Sequence, residues 1–358
     1  MKNALSIDVE DYFQVTGFEH VVDRADWDKY PSRFRIGMRA ILDTLARRDI
    51  RATFFFLGWV ADRAPDVVAE VAERGHEIGI HSYAHRLVYQ QEPTSFEDDL
   101  LRAVAAVRKT YDGPLLGYRA PTFSIRHDSL WALKILRQVG FHYDSSIFPI
   151  RRERYGMPEA PAAPYEIIEG LIEFPMSVVD WLGRRLPVCG GGYFRLYPFA
   201  VTCRAIRYLN EKQGRPAIVY LHPWEFDPEQ PVIAGSWGNT FRHRVNLATS
   251  CASALSSPRC GRCSLYDHAV IAEVLERPRR LFRRYLLGGR TDRDRPMARP
   301  LAATRHVRPP CGDDATRERS RPTSDRPRRR DWNRSPMRAA GAGGPSCRRP
   351  RLRAGNAR

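Results

Sequence analysis

The feature that most restricts this chain is a rhythm: from residue 4 to residue 225, short apolar runs alternate with longer amphipathic stretches. ALSIDV (4–9), ATFFFLG (52–58), HEIGIHS (76–82), LLGYRAP (115–121), FHYDSSI (141–147), LIEFPMSV (171–178) and AIVYLHPWE (217–225) read as strands. Between them, residues 33–48, 64–75, 93–113, 127–140 and 199–213 carry apolar side chains at helical spacing. Their punctuation agrees. Ser32 and Thr94 or Ser95 are available as N-caps, Pro65 opens a first turn, and Gly75, Gly113, Gly140 and Gly214 close helices. Six or seven such repeats predict a barrel-like α/β fold with a mainly parallel sheet, whose chemistry gathers at the strand C-termini.

The rhythm stops near residue 250, and the charge changes with it. The formal net charge of +17 suggests a nucleic-acid binder, yet residues 1–250 hold 31 Lys and Arg against 31 Asp and Glu. Residues 251–358 hold 27 Arg, no Lys and 10 acids. A segment so poor in apolar residues cannot offset its chain entropy, so 251–358 is expected to be a disordered Arg-rich tail. Residues 267–287 are the one stretch in it with helical spacing. Arginine without lysine, with cysteine and tryptophan scattered through it, fits an out-of-frame translation of a GC-rich reading frame that begins near Ala248.

Two cysteines in the first 250 residues make no disulfide framework. MKNALSIDVEDYF lacks the apolar core of a secretory signal, and no run approaches the roughly 18 apolar residues of a membrane span. The expectation is a soluble cytoplasmic protein.

Four polar clusters close expected strands. IDVED places Asp8, Glu10 and Asp11 after the first; side chains alternate faces along a strand, so two of these acids can share one mouth. HSYAH places His81 and His85 four apart, which on a helical turn puts both imidazoles on one face, as in two-histidine metal sites. GYRAP supplies Arg119, which beside carboxylates makes an orienting, bidentate contact. YLHPWE supplies His222 directly after an apolar strand. Asp144, in HYDSSI, is placed either to orient a histidine or to cap a turn.

The ordered series SIDVED, HSYAH, RAP, YDSS and YLHP resembles the polysaccharide deacetylases of the NodB-homology superfamily, carbohydrate esterase family 4. EDYFQV, GGGYFRLYP and LHPWEFDP are more similar to the subgroup found with exosortase and PEP-CTERM exopolysaccharide loci. The resemblance covers residues 3–247. It implies a deformed (β/α) barrel of about seven strands and a divalent metal, Zn2+ in most members, held by one acid and two histidines. It assigns Asp8 as general base, Arg119 as its tether, His222 as general acid, and His81 and His85 as ligands. The acidic ligand is Asp11 or Glu10, because the family's two consecutive aspartates are here Asp-Val-Glu-Asp; Asp11 is the preferred match. Leu221 would line the slot for an acetyl methyl group, and Trp224 and Tyr193 would stack on sugar rings. The implied reaction is hydrolysis of an N-acetyl group on an oligo- or polysaccharide.

Two other classes compete. One is a related carbon–nitrogen hydrolase that opens a cyclic amide or imide. The other is a nucleic-acid binder acting through the tail, disfavoured because the first 250 residues are neutral and few aromatic residues interleave the arginines. If the tail is a frameshift product, a native C-terminus that completes the barrel is missing.

Overall fold

Asp8, His81, Arg119 and His222 leave their strands on the same end of one sheet. The protein is seen here as a computed structural model that describes residues 3–152 and 154–247. The expected tail and the 267–287 helix lie outside the described residues.

Ten strands and eight α-helices are described. In chain order they are β1 (Ala4–Val9), α1 (Phe34–Arg48), β2 (Thr53–Phe56), α2 (Gly58–Arg63), α3 (Pro65–Glu73), β3 (Glu77–Ile80), α4 (Pro93–Arg108), β4 (Gly117–Tyr118) and α5 (Trp131–Val139). There follow β5 (Tyr143–Asp144), β6 (Tyr165–Ile168), β7 (Leu171–Glu173), β8 (Val178–Trp181), β9 (Arg184–Pro187), α6 (Gly191–Leu196), α7 (Phe199–Glu211), β10 (Ile218–Leu221) and α8 (Trp237–Arg244). Eight strands form one sheet in the order β10-β1-β2-β3-β4-β5-β7-β6, and β8-β9 form a separate hairpin. Every pairing from β10 to β7 is parallel; only β6 runs antiparallel, at the edge. The seven parallel strands curl into the deformed α/β barrel. On the β7 side, Ile218 of β10 donates its N–H to Ser177 Oγ at 2.7 Å, and Arg215 donates to the Val178 carbonyl.

The central strands β1, β2 and β10 are buried along their whole length because both faces are covered, as in parallel sheets generally. Leu5, Ile7, Val9, Phe54, Phe56, Ile78, Ile80, Val219 and Leu221 face outward and pack with helix residues such as Ile41, Leu45, Val68 and Leu100. Ala4, Phe55, Tyr143, Phe174, Ile218 and Tyr220 fill the interior. Burial of each phenylalanine contributes roughly 1.5–3 kcal/mol. Gly79 makes room for this filling: a Cβ there would lie 2.6 Å from the Phe55 ring.

Several sequence expectations are revised. The helix expected over 64–75 is preceded by α2, whose residues 59–63 the sequence reading leaves unassigned after a strand ending at Gly58. α1 and α4 use neither Ser32 nor Thr94 or Ser95 as a side-chain cap. The strand expected over 171–178 is divided between β7 and β8. Among the described residues, no helix is long and apolar enough to cross a membrane.

Candidate active site and metal centre

The three acids after β1 diverge. Asp8 points into the barrel mouth. Asp11 does not join it: Asp11 Oδ2 accepts from Ser32 Oγ at 2.7 Å and from the backbone N–H groups of Arg33 (2.8 Å) and Phe34 (3.2 Å). Asp11 thus serves the start of α1, where unpaired N–H groups and the helix dipole favour a carboxylate. The acid grouped with the histidines is Glu10, whose carboxylate oxygen and one ring nitrogen each of His81 and His85 all lie within 4.8 Å of one another. The preference for Asp11 is corrected to Glu10, the residue that shares a strand face with Asp8.

His81 and His85 do meet, with ring centroids 5.4 Å apart, but not on a helical turn. The 81–85 segment is a loop in which Ser82 (φ 66°) and His85 (φ 51°) take left-handed backbone conformations. Asp99 of α4 folds it, accepting from Ser82 Oγ (2.7 Å), Tyr83 N (2.7 Å) and Ala84 N (3.1 Å). Nothing in the local sequence signals this long-range support.

The hydrogen bonds around the three residues suit a cation. His81 Nδ1 lies 2.8 Å from the Arg119 carbonyl, an acceptor, so Nδ1 carries the proton and Nε2 keeps its lone pair. Glu10 Oε2 is buried, makes no hydrogen bond, and lies 2.8 Å from His85 Nε2. Burial acts to raise the Glu10 pKa, but His85 beside it prevails and holds the carboxyl well below the usual range. Burial lowers His81 to about 4, so it is neutral at physiological pH. Two imidazoles and a carboxylate whose Oε2 accepts no hydrogen bond form a donor set suited to a divalent cation.

Asp8 and His222 face each other across this group. Arg119 Nη1 donates to Asp8 Oδ1 (2.7 Å) and Ser6 Oγ (2.6 Å), while Nε and Nη2 reach the Ser145 carbonyl (3.1 Å) and hydroxyl (2.9 Å). Its guanidinium lies over the Phe55 ring at 4.3 Å. His222 Nε2 is 3.9 Å from Asp8 Oδ2 and 3.7 Å from Glu10 Oε1, and its Nδ1 is 2.7 Å from Glu225 Oε1. Burial acts to lower the His222 pKa, but the hydrogen bond to Glu225 and the nearby carboxylates overcome it and raise the pKa to about 9. Glu225 is fully buried and was missed from sequence; its signal is the His-x-x-Glu spacing inside HPWE.

Three further expectations fail on geometry. Asp144 reaches no histidine: it lies opposite Glu173 in the β5/β7 register, and Asp144 Oδ2 and Glu173 Oε2 are both buried without a hydrogen-bond partner. Burial raises Asp144 to about 6, and burial together with Asp144 raises Glu173 well above the usual range, so the pair shares a proton. Leu221 packs on the outer face of β10, away from the mouth. The residue on the His222 face is Tyr220, with ring centroids 5.7 Å apart. Trp224 offers no surface to a sugar, being 5% exposed with the His222 and His243 rings stacked on its indole.

Tyr193 is half-buried on α6, its hydroxyl accepting from Arg152 Nη2 (3.0 Å) and lying 3.5 Å from that of Tyr155. Just before it, Gly190 and Gly191 carry the chain against the Tyr220 ring; a Cβ on Gly191 would lie 2.9 Å from that ring.

Fold and site together define a parallel α/β barrel with a carboxylate–two-histidine centre at its strand ends. Comparison with known proteins finds matches to parts of the chain. Residues 27–143 match the model of the polysaccharide deacetylase family, and residues 145–256 match a domain of unknown function, DUF3473. The chain is 26% identical over 149 residues to peptidoglycan deacetylase-like protein FGM2 of Gibberella zeae, covering 41% of this chain and 39% of that protein. It is 32% identical over 83 residues to a peptidoglycan-N-acetylglucosamine deacetylase of Bacillus cereus, covering 23% and 28% respectively. The chain therefore spans well under half the length of these relatives. Among solved structures, a family 4 carbohydrate esterase from Streptomyces lividans in complex with acetate aligns with a TM-score of 0.40 at 14% identity, over 74% of this chain and 91% of that one.

Proposed function

We propose that the protein hydrolyses the N-acetyl group of an N-acetylated sugar within an oligo- or polysaccharide, with an exopolysaccharide or its precursor as the natural substrate. The observation that carries this reading is the placement of Asp8 and His222 on either side of one candidate metal site, each held by its own buried partner. Asp8, salt-bridged to Arg119, is the acceptor side; His222, held by Glu225, is the donor side.

A divalent ion held by Glu10, His81 and His85, Zn2+ by the donor set, supplies a Lewis acid that acidifies water and polarises the acetamide carbonyl. Asp8 accepts the proton of the attacking water at Oδ2, since Oδ1 is occupied by Arg119. Arg119 holds Oδ1 and so fixes the direction of Oδ2. His222 gives its Nε2 proton to the nitrogen as the carbon–nitrogen bond breaks, so a neutral amine leaves along with acetate. Glu225 retains the other ring proton on Nδ1. Tyr193, half-buried on α6, is the aromatic ring against which a sugar can lie.

The test is acetate release from a panel of N-acetylhexosamine oligomers by the full chain, with and without chelator. Chelator-sensitive release is the expected result. Ring opening of cyclic imides without acetate release points to the related hydrolase class instead.

A further inference from the structure

Trp224 connects the two sides of this site. Its indole Nε1 donates to Glu10 Oε1 at 3.1 Å. On its ring stack His222 (5.0 Å, 20°) and His243 (4.3 Å, 22°), and the Arg195 guanidinium lies 5.2 Å from its centroid. The clamp has its own supports. His243 Nε2 is 2.9 Å from Gln230 Oε1, and Gln230 Nε2 donates to the Trp224 and Asp227 carbonyls at 2.8 and 2.9 Å. Arg195 Nη1 donates to the carbonyls of His243 and Val245, both at 2.9 Å. The indole is thereby fixed by α6, α8 and the turn after β10.

This arrangement sorts the two oxygens of Glu10. A buried indole N–H requires an acceptor, and a carboxylate oxygen is a strong one. With Oε1 so engaged, only Oε2 is left to face the histidines, where it makes no hydrogen bond. A carboxylate free to rotate offers either oxygen, or both. We propose that Trp224 is a positioning residue that makes Glu10 a one-oxygen ligand and, through its stack on His222, sets the spacing between the cation side and the proton-donor side. The proposal rests on the metal reading given above. It also gives the segment after β10 and α8 a share in metal binding, although neither supplies a ligand.

The test is Co2+ titration of the full chain. Visible bands from nitrogen and oxygen donors report this site, and the near-ultraviolet thiolate bands of any cysteine-bound metal are read separately. Trp224→Phe keeps a stacking ring and removes the N–H; it should weaken Co2+ binding about 10- to 100-fold, the usual effect of losing an outer-shell partner. Because the effect passes through Glu10, adding Trp224→Phe to Glu10→Gln should change affinity by less than about twofold. His243→Leu, which loosens the clamp without touching the site, should weaken binding in the same direction, and it serves if Trp224→Phe does not fold. Wild-type affinity in these variants, or an equal further loss on the Glu10→Gln background, overturns the proposal and leaves the metal reading standing. Wild-type affinity and visible bands in His81→Ala overturn the metal reading itself, and the proposal with it.

Discussion

Glu225 Oε1 lies 2.7 Å from His222 Nδ1, three residues away on the 3-10 turn that follows β10. A catalytic histidine is usually oriented by an acid from elsewhere in a fold; here donor and partner share one tight turn, and Arg195 Nε stands 3.8 Å behind the other glutamate oxygen. Glu225→Gln should keep the turn and remove the charge that stabilises imidazolium. The expected outcome is a fall in kcat of about 10- to 100-fold with KM changed by less than about threefold, since the loss falls on proton transfer rather than on sugar binding. Steady-state kinetics of acetate release checks it; equal loss in KM would reassign Glu225 to substrate binding.

Asp8 and His81 should separate binding of the ion from turnover. Asp8 contacts Arg119 and Ser145's partner network but is not in the metal-ligand group, whereas His81 is. Asp8→Asn should retain metal and lose about 10²- to 10⁴-fold in kcat, the range for removal of a general base. His81→Ala should lose both. Elemental analysis of the two purified variants, beside their rates, tells the roles apart, and metal retained by His81→Ala counts against it as a ligand.

Much of this could be read from sequence because apolar strands announce where their ends are. ALSIDV, HEIGIHS and AIVYLHPWE located Asp8, His81 and His222 without any knowledge of their neighbours. What failed was mostly phase. A single residue decides which face of β10 a side chain takes, so Tyr220 replaces Leu221 beside His222; the preference for Asp11 comes instead from the resemblance, against a strand phase that groups Glu10 with Asp8. Other failures were of range. Asp99 folds the HSYAH loop from α4, and Glu173 meets Asp144 from β7, contacts that local sequence does not encode. The edge strand β6 and the β8-β9 hairpin are short and partly exposed, so neither shows the apolar run that marked the central strands.

Asp11 gives a direct check on this revision. As a cap for α1 it accepts two backbone N–H groups of Arg33 and Phe34 and one of Tyr12. Asp11→Ala should cost about 0.5–2 kcal/mol of stability, as loss of a helix cap does, with metal affinity unchanged. Chemical denaturation and metal titration of the same variant supply both readings. Loss of metal at full stability would restore Asp11 as the ligand.

The Asp144–Glu173 pair makes a prediction about pH. Both carboxyls are fully buried, with Glu173 Oε1 accepting from Ile147 N at 2.9 Å and Asp144 from Ser146 Oγ. Their folded pKa values lie above those of an unfolded chain, near 6 for Asp144 and higher for Glu173, so the folded state binds more protons. For a raised pKa, the stabilising contribution is complete below the unfolded value and is lost as pH rises through the folded one. Wild-type stability should therefore decline as pH rises from the ordinary carboxylate range through about 6. Glu173→Gln supplies an amide donor in place of the shared proton, so its stability should be flatter above pH 6 and Asp144 should stay ionised. Denaturation midpoints at pH 5 and pH 8 decide the matter. The ionised pair loosens the 144–147 segment on which Arg119 is anchored through Ser145, so the same variant should also hold activity to higher pH than the wild type. Parallel pH profiles for the two proteins would remove the pair from any role in holding Arg119.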